Sequence, residues 1–71
     1  MYEIIIASDI DRNGLGIELW NKAKNKMIAE IFRNDSLKKI DFFSIECNLP
    51  FEVIEIFIAE FEKEIGREYK D

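Results

Sequence analysis

The side chains best suited to hold a metal ion form a short acidic stretch near the start of the chain. Asp9, Asp11 and Asn13 alternate along the backbone and are followed by Gly14. Oxygen ligands at alternating positions, with a glycine at the sharp bend, are typical of the first half of a calcium loop. The pattern then fails, because Trp20 occupies the position where such loops need a bidentate glutamate. We predict a polar turn, with these three residues as weak metal candidates only.

Catalytic residue types are largely missing. The sequence has no histidine, the commonest general base and metal ligand. Cys47 therefore has no histidine to activate it as a nucleophile, and Gly14-Leu15-Gly16 is too short for a phosphate-binding loop. A chain of 71 residues also offers little room for a closed, water-free pocket. We predict that the protein is not an enzyme and uses no cofactor.

Charge is divided unevenly along the chain. Residues 1–45 carry seven acidic and seven basic side chains, whereas residues 46–71 carry eight acidic and three basic ones, which accounts for the net charge of −5. Direct nucleic-acid binding is not expected, because it needs a basic stripe. No apolar run exceeds four residues, the length of the run at residues 4–7, which is far too short to span a membrane. A single cysteine and the lack of a leader pattern predict a cytoplasmic protein.

One helix in the last third of the chain must organise the fold. Pro50 suits a first helical position, and Glu52 suits the positive end of the helix dipole. Apolar residues recur every three or four positions and predict a stripe that must be buried. Its members are Ile54, Phe57, Ile58, Phe61 and Ile65, with Phe51 and Tyr69 at its edge. We predict a helix over about 50–66, with residues 67–69 as a potential extension.

The residues before the helix show the alternation of strands and the composition of tight turns. Strands are predicted over about 2–7, 15–20, 27–33 and 38–46. Short connections, among them Asn13-Gly14, make successive strands antiparallel. The prediction is one small α+β domain over residues 1–71, a two-layer, four-stranded antiparallel β-meander followed by one C-terminal helix packed on one sheet face. No internal repeat is visible.

The helix face opposite the apolar stripe is unusually acidic. Like-charge pairs such as Glu60 and Glu64, four positions apart, each cost roughly 0.2–0.5 kcal/mol. One interpretation is a solvated acidic face with two stray apolar residues. The other is an acidic contact surface with an apolar centre. The predicted contact residues are Glu52, Val53, Glu55, Ile56, Glu60, Lys63 and Glu64.

A single helix leaves the other face of the sheet uncovered. Leu15, Ile17 and Leu19 make a uniformly apolar row that should face the helix, and strict alternation then turns Trp20 the other way. Either this second face is wetted, as antiparallel sheets allow, or another copy or a partner covers it. The predicted residues of this face are Glu18, Trp20, Ile28, Glu30 and Phe32, joined by one of Phe42 or Phe43.

These patterns predict a small acidic protein-binding module. The leading hypothesis is an inhibitor, immunity or antitoxin-like protein that occludes another protein through its acidic helix. Glutamates on a helix imitate a row of phosphates, so that partner is expected to be a nucleic-acid-binding protein or a nuclease. One alternative is an assembly subunit, a homodimer or larger, that uses the uncovered sheet face. The other is a weak calcium-binding protein that uses residues 9–13.

Overall fold

A computed structural model describes residues 2–70, which form a four-stranded antiparallel sheet and one helix. The strands are β1 (Tyr2–Asp9), β2 (Gly14–Asn21), β3 (Lys26–Asn34) and β4 (Lys39–Ser44), and the helix is α1 (Phe51–Glu64). The sheet order is β1-β2-β3-β4, so β1 and β4 are its edges. This confirms the predicted α+β meander with a C-terminal helix. Within these residues, no helix combines the length and apolar character needed to cross a bilayer.

The ends of β4 and α1 differ from the predicted bounds. β4 stops at Ser44, whose hydroxyl donates a hydrogen bond of 2.7 Å to the Glu46 carbonyl where the chain leaves the sheet. Pro50 is extended (φ −58°, ψ 138°) and precedes the first helical residue, Phe51. Gly66 adopts φ +82°, a left-handed conformation that terminates helices, so residues 67–69 do not extend α1.

The three hairpin turns are built in the same way. An Asp or Asn at the end of each strand accepts a hydrogen bond from the backbone N–H three residues later, and the next residue is left-handed. The acceptor and donor pairs are Asp9 and Arg12, Asn21 and Lys24, and Asn34 and Leu37, at 3.2, 3.1 and 2.9 Å. The left-handed residues are Asn13, Asn25 and Lys38, with φ of 56°, 54° and 56°. Repetition of this device holds the meander in register.

The core lies between α1 and the middle strands. Ile17 and Leu19 face the helix, as the apolar row predicted, and they are fully buried. Phe57 and Phe61 are the buried residues of α1. The complete buried cluster consists of Ile17, Leu19, Ile28, Ala29, Ile31, Phe57 and Phe61.

Ile28 corrects the predicted composition of the uncovered face. Strict alternation turned it away from the helix, yet it is 2% exposed and belongs to the core cluster. The pairing of β2 with β3 shifts at this point, because Leu19 pairs with Ala29 whereas Trp20 pairs with Met27. Such a β-bulge inserts one extra residue and interrupts the alternation of side chains. The bulge therefore brings both Ile28 and Ala29 into the core.

A buried ion pair ties the end of α1 to the sheet. Arg33 is 3% exposed, and its Nε lies 2.8 Å from Asp35 Oδ1. Its Nη1 donates to the carbonyl of Ile65 at 2.9 Å and to that of Gly66 at 3.4 Å. The Lys70 N–H donates to Asp35 Oδ1 at 3.1 Å. The pair thus supplies partners for backbone groups at the helix end, which have none inside the helix.

Candidate functional site

α1 carries more apolar surface than the sheet covers. Only two members of its stripe are buried, while Ile58 is 40% and Phe51 is 71% exposed. A helix is about 10 Å wide and strands are about 4.8 Å apart, so one helix covers about two strands. The prediction that the whole stripe is buried was therefore wrong for the edge that faces β4.

An apolar groove runs along each side of α1. The β4 groove, between the helix and β4, has a volume of about 330 Å³. The β1 groove, between the helix and β1, has a volume of about 280 Å³. The β4 groove is lined by Ile31, Ile40, Phe42, Ile54, Ile58, Phe61 and Arg67. The β1 groove is lined by Tyr2, Ile4, Leu19, Val53 and Ile56.

The outer face of α1 separates the two grooves and is acidic. Ile56, at its centre, is 62% exposed, and Val53 beside it is half-buried. The remaining predicted contact residues are exposed, except for half-buried Glu60; they are Glu52, Glu55, Glu60, Lys63 and Glu64. The structure therefore brings the predicted contact residues together on the outer and β1-facing sides of the helix.

The carboxylates of this face are not engaged in ion pairs with the part of the chain that the structure describes. Within residues 2–70, none of Glu52, Glu55, Glu60 and Glu64 forms an ion pair. Glu62 differs, because its Oε2 accepts a hydrogen bond of 2.6 Å from Nε of Arg67 at the end of the β4 groove. The outer face of α1 therefore presents negative charge to any molecule that approaches it.

On the opposite face of the sheet, the region around Phe32 is covered by the chain's own residues. Phe32 is buried there because its ring lies over Gly14 and Gly16, where a Cβ on Gly16 would stand 2.9 Å from the ring. The Arg12 guanidinium lies 3.8 Å from the centre of the same ring. An aromatic ring over glycines is a known way to protect a strand that lacks side chains. The placement of Phe32 on this face was right, but its exposure to a partner was not.

Arg12 also binds two carboxylates. Its Nη2 lies 2.8 Å from Glu30 Oε2, and its Nε lies 2.6 Å from Asp9 Oδ2. Hydrogen bonds to Glu30 and then to Asp9 raise the pKa of the Arg12 guanidinium, and the same contacts lower the pKa of the Asp9 carboxyl. Glu30 stands directly across from Glu18, so Arg12 offsets a like-charge pair.

The candidate calcium residues are engaged in the turn itself. Arg12 supplies to Asp9 the positive charge that a calcium ion would supply. The side-chain amide of Asn13 donates to Ser36 Oγ at 2.7 Å, and Asp11 is exposed. In the part of the chain that the structure describes, no three His, Cys, Asp or Glu side chains are grouped to hold a metal ion.

Trp20 is half-buried and lies outside the core cluster, on the side away from α1. Its Nε1 donates a hydrogen bond of 2.9 Å to Glu18 Oε1. This contact gives the indole N–H a partner and explains how the tryptophan tolerates an acidic neighbour on the same face. Phe43, directly across from Glu30, is exposed on the same face, whereas Phe42 lines the β4 groove.

Comparisons with protein families, with curated proteins and with solved structures found no match for this chain. The function of this chain must therefore be inferred from its own surface. Sequence reasoning found the acidic helix face but missed the β4 groove. A signal was present, because the apolar residues of α1 extend around more of the helix than a single sheet contact covers.

Proposed function

We propose that this chain is a protein-binding module that contacts its partner through the outer face of α1 and the grooves beside it. The observation that carries the proposal is the combination, on one side of the molecule, of exposed apolar side chains and carboxylates without ion-pair partners. Exposed apolar patches of this kind mark interaction sites, and an apolar centre with a polar rim is the usual anatomy of an interface.

The partner's chemistry follows from the charge. Four glutamates of α1 form no ion pair within residues 2–70, which favours a basic site on another protein as the complementary surface. Basic sites of that kind belong to nucleases and other nucleic-acid-binding proteins. We therefore propose an inhibitor of the immunity or antitoxin type that occludes such a site in the cytoplasm, with a binding rather than a catalytic role.

The test compares two variants with equal net charge. The first carries Glu52→Gln, Glu55→Gln, Glu60→Gln and Glu64→Gln. The control removes four exposed carboxylates away from α1 through Glu3→Gln, Asp11→Asn, Glu46→Gln and Glu68→Gln. Each is used to capture partners from a lysate of the cells that express the protein, at low and at high salt. A captured protein is then purified and its affinity for each variant is measured.

We expect the helix variant to lose about tenfold or more in affinity, and the control variant to change less than about threefold. Binding of the natural chain should also weaken as salt is raised. Equal affinity for the two variants would show that the acidic helix is not the contact surface. Capture that is insensitive to salt would show that its charge does not select the partner.

The two alternatives have less support on the surface. The sheet face predicted for assembly has lost Ile28 and Phe32 to burial, while Glu18 and Glu30 bind Trp20 and Arg12. The first ligand of the calcium hypothesis, Asp9, already binds Arg12 through its carboxylate. We therefore propose the acidic helix as the contact surface ahead of both.

A further inference from the structure

β1 is an edge strand without the usual protection. It has eight residues and an uninterrupted pairing with β2. Natural edges are blunted by charges, prolines, bulges or short length. β4 follows this rule, since it has six residues and carries Lys39 and Asp41. β1 has no charge between Glu3 and Asp9.

The apolar residues in the middle of β1 are open on both of its faces. Ile5 is 38% exposed on the face away from α1, and Ile6 is 52% exposed on the α1 side. The charges at the two ends of the strand are already paired, Glu3 with Lys22 and Asp9 with Arg12. The edge of β1 is therefore an electrically neutral strand with an apolar centre, suited to pairing with another strand.

We propose that β1 pairs antiparallel with β1 of a second copy of this chain, which joins the two sheets into one of eight strands. A two-fold axis at the edge makes this contact closed and self-complementary. With both helices on the same side of the joined sheet, residues on matching faces must oppose each other. A register centred on Ile5 satisfies this condition, because it sets Ile5 opposite Ile5 and Ile4 opposite Ile6 of the second copy.

The neighbouring register is less favourable. Centring on Ile6 would place Glu3 opposite Asp9 of the second copy, and like charges directly opposite destabilise a strand pair. In the register centred on Ile5, Glu3 lies opposite Ala7 instead. The charges of β1 therefore favour the register centred on Ile5 over the one centred on Ile6.

The acidic helix does not prevent this dimer. The excess charge lies in residues 46–71, and α1 rests on β2 rather than on the edge strand. The two helix axes would then be about three strand spacings, or about 14 Å, apart. That is more than the 8–10 Å of packed helices and the Debye length of about 8 Å at physiological salt. At 0.01 M salt the Debye length is about 30 Å, so the two helices still repel each other there. The dimer should tighten as salt is raised from that level to the physiological range, whereas partner binding through α1 should weaken.

Dimer formation also joins the two β1 grooves. Ile4 and Ile6 of both copies would form one floor between the helices, with Val53 and Ile56 of each copy along its sides. The inference does not rest on the proposed function, because it uses the hydrogen-bonding edge of β1 and not the acidic face of α1. It predicts the opposite salt dependence, so each can fail without the other.

The test uses a charge exchange at the centre of the proposed register. Ile5→Lys and Ile5→Glu are prepared separately and then mixed, and sedimentation velocity measures the oligomeric state. Phe43→Lys is the matched control, since Phe43 lies in the same cross-strand row at the other edge of the sheet. Circular dichroism confirms that each variant is folded.

We expect the natural chain and Phe43→Lys to dimerise at tens of micromolar, and each Ile5 variant alone to dimerise about tenfold more weakly or worse. The mixed variants should recover the dimer. A monomeric natural chain, an unaffected Ile5→Lys, or a mixture that stays monomeric would overturn the proposal.

A cross-link gives a second measurement if a charge at Ile5 unfolds the chain. Ile5→Cys is combined with Cys47→Ser, and Ile10→Cys with Cys47→Ser is the control on an exposed turn. Opposed residues of antiparallel strands lie within disulfide range. Mild oxidation should link the first variant and leave the second largely monomeric. Equal yields from the two variants would count against the register.

Discussion

Arg33→Met tests whether the buried ion pair holds the end of α1 on the sheet. The substitution keeps an unbranched apolar stem but removes the guanidinium. Asp35 would then lose two contacts, at 2.8 and 3.3 Å, and keep the Lys70 N–H. The carbonyls of Ile65 and Gly66 would lose their side-chain donor.

The size of the effect follows from burial. A hydrogen bond to a charged group contributes about 1.5–3 kcal/mol, and removing one member of a buried ion pair costs about 3–5 kcal/mol. We expect the lower end, about 3 kcal/mol, because Asp35 retains a backbone donor. Domains have about 0.05–0.15 kcal/mol of stability per residue, or about 4–11 kcal/mol for a chain of 71 residues. The melting temperature should fall by roughly 12–24 °C.

Urea unfolding provides the assay, with Trp20 fluorescence and circular dichroism as independent probes. Arg67→Met is the matched control, because Arg67 pairs with Glu62 on the exposed surface and should cost less than about 1 kcal/mol. Adding Asp35→Asn to Arg33→Met should recover part of the loss, since the carboxylate is then no longer left without its partner. If Arg33→Met is no more destabilising than Arg67→Met, the ion pair of Arg33 with Asp35 and its bonds to the helix end do not stabilise the fold.

Three further predictions concern the effects of pH, of a side chain at Gly16 and of calcium on stability. Arg33 lowers the pKa of Asp35, and Arg12 lowers that of Asp9, both through side-chain hydrogen bonds; their stabilisation is therefore complete above the ordinary value of about 3.9 and is lost as pH falls through the folded-state pKa. Melting temperatures measured from pH 7 to pH 2 should show this decline, and Arg33→Met should reduce it. Gly16→Ala should destabilise the sheet by about 1–3 kcal/mol in urea unfolding, because its Cβ would stand 2.5 Å from the Ile31 carbonyl oxygen and 2.9 Å from the Phe32 ring. A neutral result would mean that the backbone of β3 shifts away at little cost. Calcium at millimolar concentration should leave the melting temperature unchanged, because Arg12 already neutralises Asp9; an increase would restore the calcium hypothesis.

The meander and the helix were predictable because their signals are local. Alternation, short turns and a helical period each report on neighbours within a few residues. The bulge at Ile28 was not predictable, because one extra residue in a strand leaves no sequence pattern that distinguishes it from ordinary alternation. The three turns share only an Asp or Asn and a left-handed residue four positions later. That residue is Asn in the first two turns but Lys38 in the third, so the repeat is not visible in the sequence.

The candidate surface was predictable only in part. The acidic face of α1 follows from helical period alone, so Glu52 to Glu64 could be placed together. The grooves depend on where a helix rests on a sheet wider than itself, which is a property of packing. The hydrogen bonds of Arg33 reach carbonyls 32 and 33 positions later in the chain, which no local pattern indicates. Charged residues are also ordinarily expected on the surface, so the burial of Arg33 could not be predicted.

The division of charge along the sequence becomes a division of surfaces in the fold. The neutral meander ends in an apolar edge at β1, while the acidic helix lies over the middle of the sheet. Salt should therefore act in opposite directions on the two proposed contacts, by weakening attraction between α1 and a basic partner and by screening repulsion between two copies. Self-association that also weakens in salt would mean that attraction between opposite charges holds the two copies together. That result would rule out the neutral edge of β1 as the contact between copies.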